Sequence, residues 1–183
     1  MAYKGKIINN KKTGQQIRFV QTKKDTGGKL LEIESLFQPY SKEPVPHYHP
    51  FQQEEFNILE GEITVRLNGR LKVFKQGDRL HIKANEVHSM WNHSSNKARI
   101  NWKISPALDT EYFLENGVGI ANEKKTNEDG MPGILQVALL ANKFAHVFRV
   151  AKPSFLTQKI IFTALTPFSY LVGYRPVYKK FID

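Results

Sequence analysis

Apolar and polar positions alternate with period two through most of the first hundred residues. "QIRFVQT" and "KLLEIESLF" flank "KKDTGG", where Gly27 and Gly28 supply the backbone freedom of a hairpin turn. "GEITVRL" and "RLKVFKQ" flank Asn68-Gly69, the strongest short hairpin signal. A two-residue loop predicts Leu67 opposite Arg70, Ile63 opposite Phe74 and Glu62 opposite Lys75. One face then carries an apolar pair and the other an ion pair, as a half-buried sheet requires. "DRLHIKA", "VHSMWNH" and "ARINWKI" continue the pattern, and in the last Ile100, Trp102 and Ile104 share a face.

The pattern changes at Ser105-Pro106. "ALDTEYFLENG" predicts a short capped helix ending at Gly117, and "IANEKKTNEDGMPG" a polar loop. "ILQVALLANKFAHVFRV" has helical spacing, with Ile134 and Ala138, and Leu135 and Leu139, in i, i+4 pairs. In "PSFLTQKIIFTALTPFSYLVGYRPVY", Pro153 fits a helix start and Pro167 predicts an end or a kink. The chain is thus expected to divide into a strand-rich unit over 1–108 and a helical extension over 109–183. The extension is expected to pack on that unit or on a partner in a homodimer.

Composition narrows the chemistry. The chain has no cysteine, so disulfides are excluded and any metal site must use nitrogen and oxygen ligands. The formal net charge is +10, but the cations are spread through "NNKKTGQQIR", "QTKKDTGGK", "NEKKTNEDG" and "VYKKFID". No nucleic-acid-binding motif accompanies them, and no nucleic-acid partner is expected. "MAYKGKIINN" has no apolar leader core, which predicts a cytoplasmic location.

Between Lys159 and Arg175, "IIFTALTPFSYLVGY" runs fifteen residues without a charge. That is short of the roughly 20 a membrane span needs, so no transmembrane helix is expected. Burial of this run against the strand-rich unit or across a dimer is the favoured expectation, because so much exposed apolar surface is unusual. Docking of 155–180 on a membrane surface is the alternative, with Lys159, Arg175, Lys179 and Lys180 at its flanks.

The candidate chemistry lies in "PHYHPFQQEEFNILEGEITV". In a strand His47 and His49 aim two imidazoles at one spot. Alone, such a pair is ordinarily a half-exposed polar couple. Strand phase chooses between the two glutamates that follow: if Glu54 points inward, so do Phe56 and Ile58, whereas the other phase buries Asn57. The spacing runs His47, one residue, His49, four residues, Glu54, six residues, Gly61. Downstream, "GDRLHIKANEVHSMWN" runs Gly77, five residues, Lys83, one, Asn85, two, His88, three, Asn92. His81 and His93 face outward in the same phase, and His146 lies in the helical part.

These two stretches resemble the paired motifs of the cupin superfamily, G-x5-H-x-H-x(3,4)-E-x6-G and G-x5-P-x-G-x2-H-x3-N. Ser41, Lys83 and Asn85 depart from the pattern, but Asn85 tolerates the positive φ that the second glycine serves. The resemblance implies a mainly β fold, a cupin double-stranded β-helix or jelly-roll barrel with a C-terminal α-helical extension. It also implies one divalent transition metal held by His47, His49, Glu54 and His88. Three imidazoles and a carboxylate suit Fe, Mn, Ni, Zn or Co rather than Ca or Mg, and leave coordination positions open.

Inward phase places Phe56, Ile63, Phe74, Met90, Asn92 and Trp102 in the lumen. The expected partner is a small-molecule ligand or substrate, and the leading expectation is an oxygenase-type enzyme with Glu54 as its catalytic carboxylate. A ligand-binding or sensing barrel without turnover, or a membrane-surface cupin, are the alternatives.

Overall fold

The computed structural model describes residues 1–127 and 130–182. The alternating segments pair into two antiparallel sheets. The strands are β1 (Ile7–Asn9), β2 (Gln16–Gln21), β3 (Leu31–Phe37), β4 (His47–Tyr48), β5 (Gln53–Glu60), β6 (Glu62–Leu67), β7 (Arg70–Lys75), β8 (Arg79–Ile82), β9 (His88–Trp91), β10 (Ala98–Ser105) and β11 (Arg149–Val150). One sheet has the order β1-β2-β3-β10-β5-β8 and the other β11-β4-β9-β6-β7.

The Asn68-Gly69 hairpin has the register read from the sequence, with Leu67 opposite Arg70, Ile63 opposite Phe74 and Glu62 opposite Lys75. Both turn residues have positive φ, as the primed two-residue turns require. In β10, Ile100 and Ile104 are fully buried and Trp102 is half-buried between them.

The barrel core has two parts. Phe56, Ile58, Ile63, Val65, Phe74, Ile82, Ala98 and Ile100 fill one end between the sheets. Ile17, Phe19, Leu31, Ile33, Ile104 and Ala107 form the other, and Trp102 packs against both. Gly61 has a φ of +72°, and a Cβ there would fall well inside van der Waals contact of the Lys97 carbonyl oxygen. Only glycine fits that turn between β5 and β6. Asn85 takes a φ of 67°, as expected of the asparagine in the second motif.

The helices are α1 (Thr110–Asn122), α2 (Ile134–Lys143), α3 (Phe155–Leu171) and α4 (Lys179–Ile182). Helix α1 does not stop at Gly117. It continues because the Phe181 ring occupies the space a Cβ on Gly119 would take, so tertiary packing overrides the low helix propensity of glycine. Lys124, with a φ of 58°, follows the end of the helix. Of the predicted polar loop, residues 128 and 129 lie outside the described residues.

Helical spacing through Val150 also overreaches: α2 ends at Lys143 and the chain turns into β11, which pairs with β4. Ser154 caps α3 by accepting from the Thr157 N–H, one residue after Pro153. Pro167 does not end α3. The helix carries on to Leu171, and the Thr166 hydroxyl donates to the Phe162 carbonyl at 2.8 Å, inside the turn the proline disturbs.

Helix α3 packs on α2, where Ser169 Oγ donates to the Leu135 carbonyl at 2.8 Å and Asn142 Nδ2 to Thr166 Oγ1 at 2.9 Å. Burial of the uncharged run against the barrel does not occur. Ile160, Ile161, Phe168 and Leu171 are exposed, while only Gln158, Phe162 and Ser169 of the helix are buried. The reason is that the inward side of α3 is narrow and partly polar. Among the described residues no helix is long and apolar enough to cross a membrane.

Candidate metal centre

Both sheets contribute to one point inside the barrel. His47 lies on β4, directly opposite His88 on β9. His49 follows β4, and Glu54 comes from β5 in the facing sheet. The phase of β5 buries Glu54, Phe56 and Ile58 and exposes Gln53 and Glu55. One ring nitrogen of each of His47, His49 and His88 lies within 4.8 Å of the others. Glu54 reaches the same group, with Oε1 3.2 Å from His49 Nε2 and Oε2 3.0 Å from His88 Nε2. His81 and His93 are exposed, and His146 pairs with Asp109 away from this point.

The other face of each imidazole decides what this point can bind. His47 Nδ1 faces the Val45 carbonyl at 3.1 Å, His49 Nδ1 the Val147 carbonyl at 2.6 Å, and His88 Nδ1 the Glu86 carbonyl at 3.0 Å. A carbonyl only accepts, so each Nδ1 carries the hydrogen and donates. In the neutral rings this leaves three Nε2 lone pairs free, those of His49 and His88 facing the Glu54 carboxylate. His49 Nε2 and Glu54 Oε2 are buried without a properly directed hydrogen bond. Acceptors that converge with few donors call for a cation, and backbone carbonyls that fix imidazole orientation are the usual support of a metal-binding histidine. The donor set therefore fits a divalent metal ion.

Electrostatics agree. Burial, followed by the neighbouring His88 and His49, pushes the His47 imidazole down to about 3, so it stays neutral. Burial also lowers His49. For Glu54, burial works to raise the pKa, but His49 and His88 outweigh it and hold the carboxyl below its ordinary value. Burial pulls His88 down, while its contact with Glu54 more than compensates and raises it. The anionic carboxylate thus draws positive charge to this one point.

A cavity of about 530 Å³ opens from the site. His47, His49, Glu54 and His88 stand in its wall, with Phe56, Met90 and Trp102 beside them. Trp102 Nε1 donates to Glu54 Oε1 at 3.1 Å, and its ring stacks on Phe56. Ile63 and Phe74 are packed in the core and do not line the cavity, whereas Phe56 of the same cluster and Met90 and Trp102 packed against it do.

Asn92 is fully buried but serves the chain rather than the lumen. Its Nδ2 donates to the Gln38 and Asn96 carbonyls at 3.1 and 2.6 Å, and its Oδ1 accepts from the Ser94 N–H at 3.0 Å. Its own N–H donates to Ser41 Oγ at 2.8 Å, tying together the two ends of the motif pair.

Three further wall residues escape the motif reading. Phe148 stacks on His47 with centroids 4.5 Å apart, and Phe113 stacks on Phe148 at 5.0 Å. Glu43 sits at the rim, gripped in bidentate fashion by Arg66 at 2.8 and 3.1 Å and by Ser89 at 2.6 Å. The Arg66 hydrogen bond holds its carboxyl below the ordinary range. The only sequence signal for Phe148 is the short apolar stretch "HVFRV", too brief to distinguish a strand from a helix end.

Residues 34–104, from β3 to β10, match the Cupin_2 family, described as "Cupin domain". That stretch of the barrel is a cupin domain. A predicted oxalate decarboxylase from Thermotoga maritima shares the fold, with a TM-score of 0.50 and 22% identity over 58% of this chain and 99% of that one.

Among curated proteins, the chain is 33% identical over 106 residues to the quercetin 2,3-dioxygenase of Bacillus subtilis, covering 57% of this chain and 31% of that protein. It is 24% identical over 151 residues to "Probable oxidoreductase patJ" of Aspergillus clavatus, covering 76% of this chain and 46% of the relative. The chain spans less than half the length of these curated relatives.

Proposed function

We propose that this cupin holds one divalent transition metal on His47, His49, Glu54 and His88, and acts on a small molecule in an oxygenase-type reaction. The observation that carries the reading is the convergence of three histidines whose Nδ1 atoms are all occupied by backbone carbonyls. The partial similarity to a quercetin dioxygenase supports the reaction class. Bound there, such a metal supplies Lewis acidity at substrate oxygens and, when redox-active, one-electron chemistry.

The chain's own residues do the rest. Phe56, Met90, Trp102 and Phe148 give an apolar wall that holds a planar or aliphatic body and keeps bulk water out. Glu54 is the one carboxylate at the point where the histidines converge. It accepts the proton of a substrate hydroxyl brought there. The Trp102 indole N–H fixes Oε1, which leaves Oε2 to exchange partners.

The test is oxygen uptake by protein reconstituted with Fe, Mn, Ni, Co or Zn in turn, against enolic, phenolic and 2-oxo compounds. Uptake that needs metal and substrate, and is lost in His88→Ala, is expected. Tight ligand binding with no chemistry across the panel overturns the oxygenase reading and marks a sensing cupin.

A further inference from the structure

Helix α3 leaves a broad apolar surface uncovered. Leu156, Ile160, Ile161, Phe168, Leu171 and Val172 are between 44% and 82% exposed. At 100° per residue, the exposed side from Tyr170 round to Val172 spans about 200° of the helix without a charge. A 17-residue helix is about 25 Å long, too short to span a bilayer but long enough to lie along one.

Charge bears on what this surface could meet. Residues 130–183 contain seven Lys and Arg against one acidic residue, Asp183, in a chain of formal net charge +10. Lys152 precedes α3, Lys159 borders its apolar arc, and Arg175, Lys179 and Lys180 follow it; all five are exposed. Among the described residues Lys152, Lys159 and Lys179 have no ion-pair partner, whereas Lys180 pairs with Glu123.

A second copy of the chain is a poor occupant. An isologous dimer through α3 would set Lys152, Lys159 and Lys179 against their own counterparts, with no carboxylate on the helix itself to neutralise them. An apolar helix face rimmed by cations is complementary to an anionic lipid surface.

We propose that α3 docks this cupin in the plane of an anionic lipid bilayer, burying Leu156, Ile160, Phe168 and Leu171 between the acyl chains and setting the flanking lysines among the headgroups. The proposal is independent of the metal reading.

The test is co-sedimentation of the full chain with vesicles of phosphatidylcholine alone, or of phosphatidylcholine and phosphatidylglycerol in equal parts. Binding to the anionic vesicles should be about tenfold stronger or more, and should weaken with added salt. The Ile160→Glu and Leu171→Glu variants should lose it while keeping the wild-type melting temperature, since both side chains are exposed. A Lys152→Gln, Lys159→Gln double variant should weaken it without unfolding the chain.

Equal binding to both vesicle types, or none to either, overturns the proposal. So does a dimer in sedimentation velocity that Ile160→Glu dissociates, which would show that a second copy covers the helix.

Discussion

The Val147 carbonyl accepts a hydrogen bond from His49 Nδ1 at 2.6 Å, across 98 residues of sequence. A candidate metal ligand of the barrel is therefore oriented by the segment that follows α2. The same segment seats Phe148 on His47, pairs β11 with β4, and ties the Ala151 N–H to the Pro46 carbonyl at 2.8 Å. It thus contacts both His47 and His49 with residues outside the two motifs.

Removing that enclosure should loosen the site without dismantling the barrel. Phe148→Ala frees the His47 ring on one face and admits water beside it. Metal affinity, measured by competition with a chromophoric chelator, should fall about tenfold, the lower end of what outer-shell support contributes. Unchanged affinity would show that the aromatic contact does not hold His47.

The two adjacent glutamates separate sharply. Glu54 is 1% exposed and touches two histidines, while Glu55 is exposed on the outer face. Glu54→Gln should weaken metal binding by about tenfold or more if the carboxylate is a ligand, because it removes the anionic group at the proposed site. Glu55→Gln should leave it unchanged. The reverse result in the same chelator competition would place the carboxylate ligand on the other phase of β5.

Gly61→Ala should be costly. The residue needs φ of +72°, and its Cβ would press on the Lys97 carbonyl. Left-handed strain and overpacking together amount to roughly 2–5 kcal/mol. Thermal unfolding followed by circular dichroism should show a melting temperature lower by roughly 4–20 °C. A melting temperature within error of wild type would mean that the turn can shift to admit the methyl group.

Much of the barrel was legible because its signals are local. Strand alternation, the Asn68-Gly69 turn and the register across it all sit within a few residues of one another, and the phase that buries Phe56 and Ile58 also buries Glu54. The helical part was less legible. Gly117 reads as a stop only when the Phe181 ring against Gly119 is unknown, and that contact joins distant parts of the chain.

Strand β11 has two residues and owes its existence to pairing with β4, so no periodicity announces it. Inward phase likewise identifies barrel core but not depth. Ile63 and Phe74 share the lumen side with Met90, and the packing of the layer above decides which of them meets the cavity.

That distinction gives another expectation. Phe74→Ala should cost about 3–5 kcal/mol of stability as a core truncation. Met90→Ala, at the cavity wall, should cost less and instead change the affinity for small apolar ligands. Calorimetric unfolding and ligand titration on both variants check this. Equal destabilisation with no effect of Met90→Ala on binding would remove Met90 from the ligand site.

The most direct measurement is the metal content of untagged, folded protein after incubation with Fe, Mn, Ni, Co and Zn in turn and removal of excess ion. The convergence of His47, His49, Glu54 and His88 predicts close to one equivalent of at least one of these metals, and nearly none in His47→Ala and His88→Ala. Folded wild-type protein that retains all five metals at well below one equivalent would contradict the account.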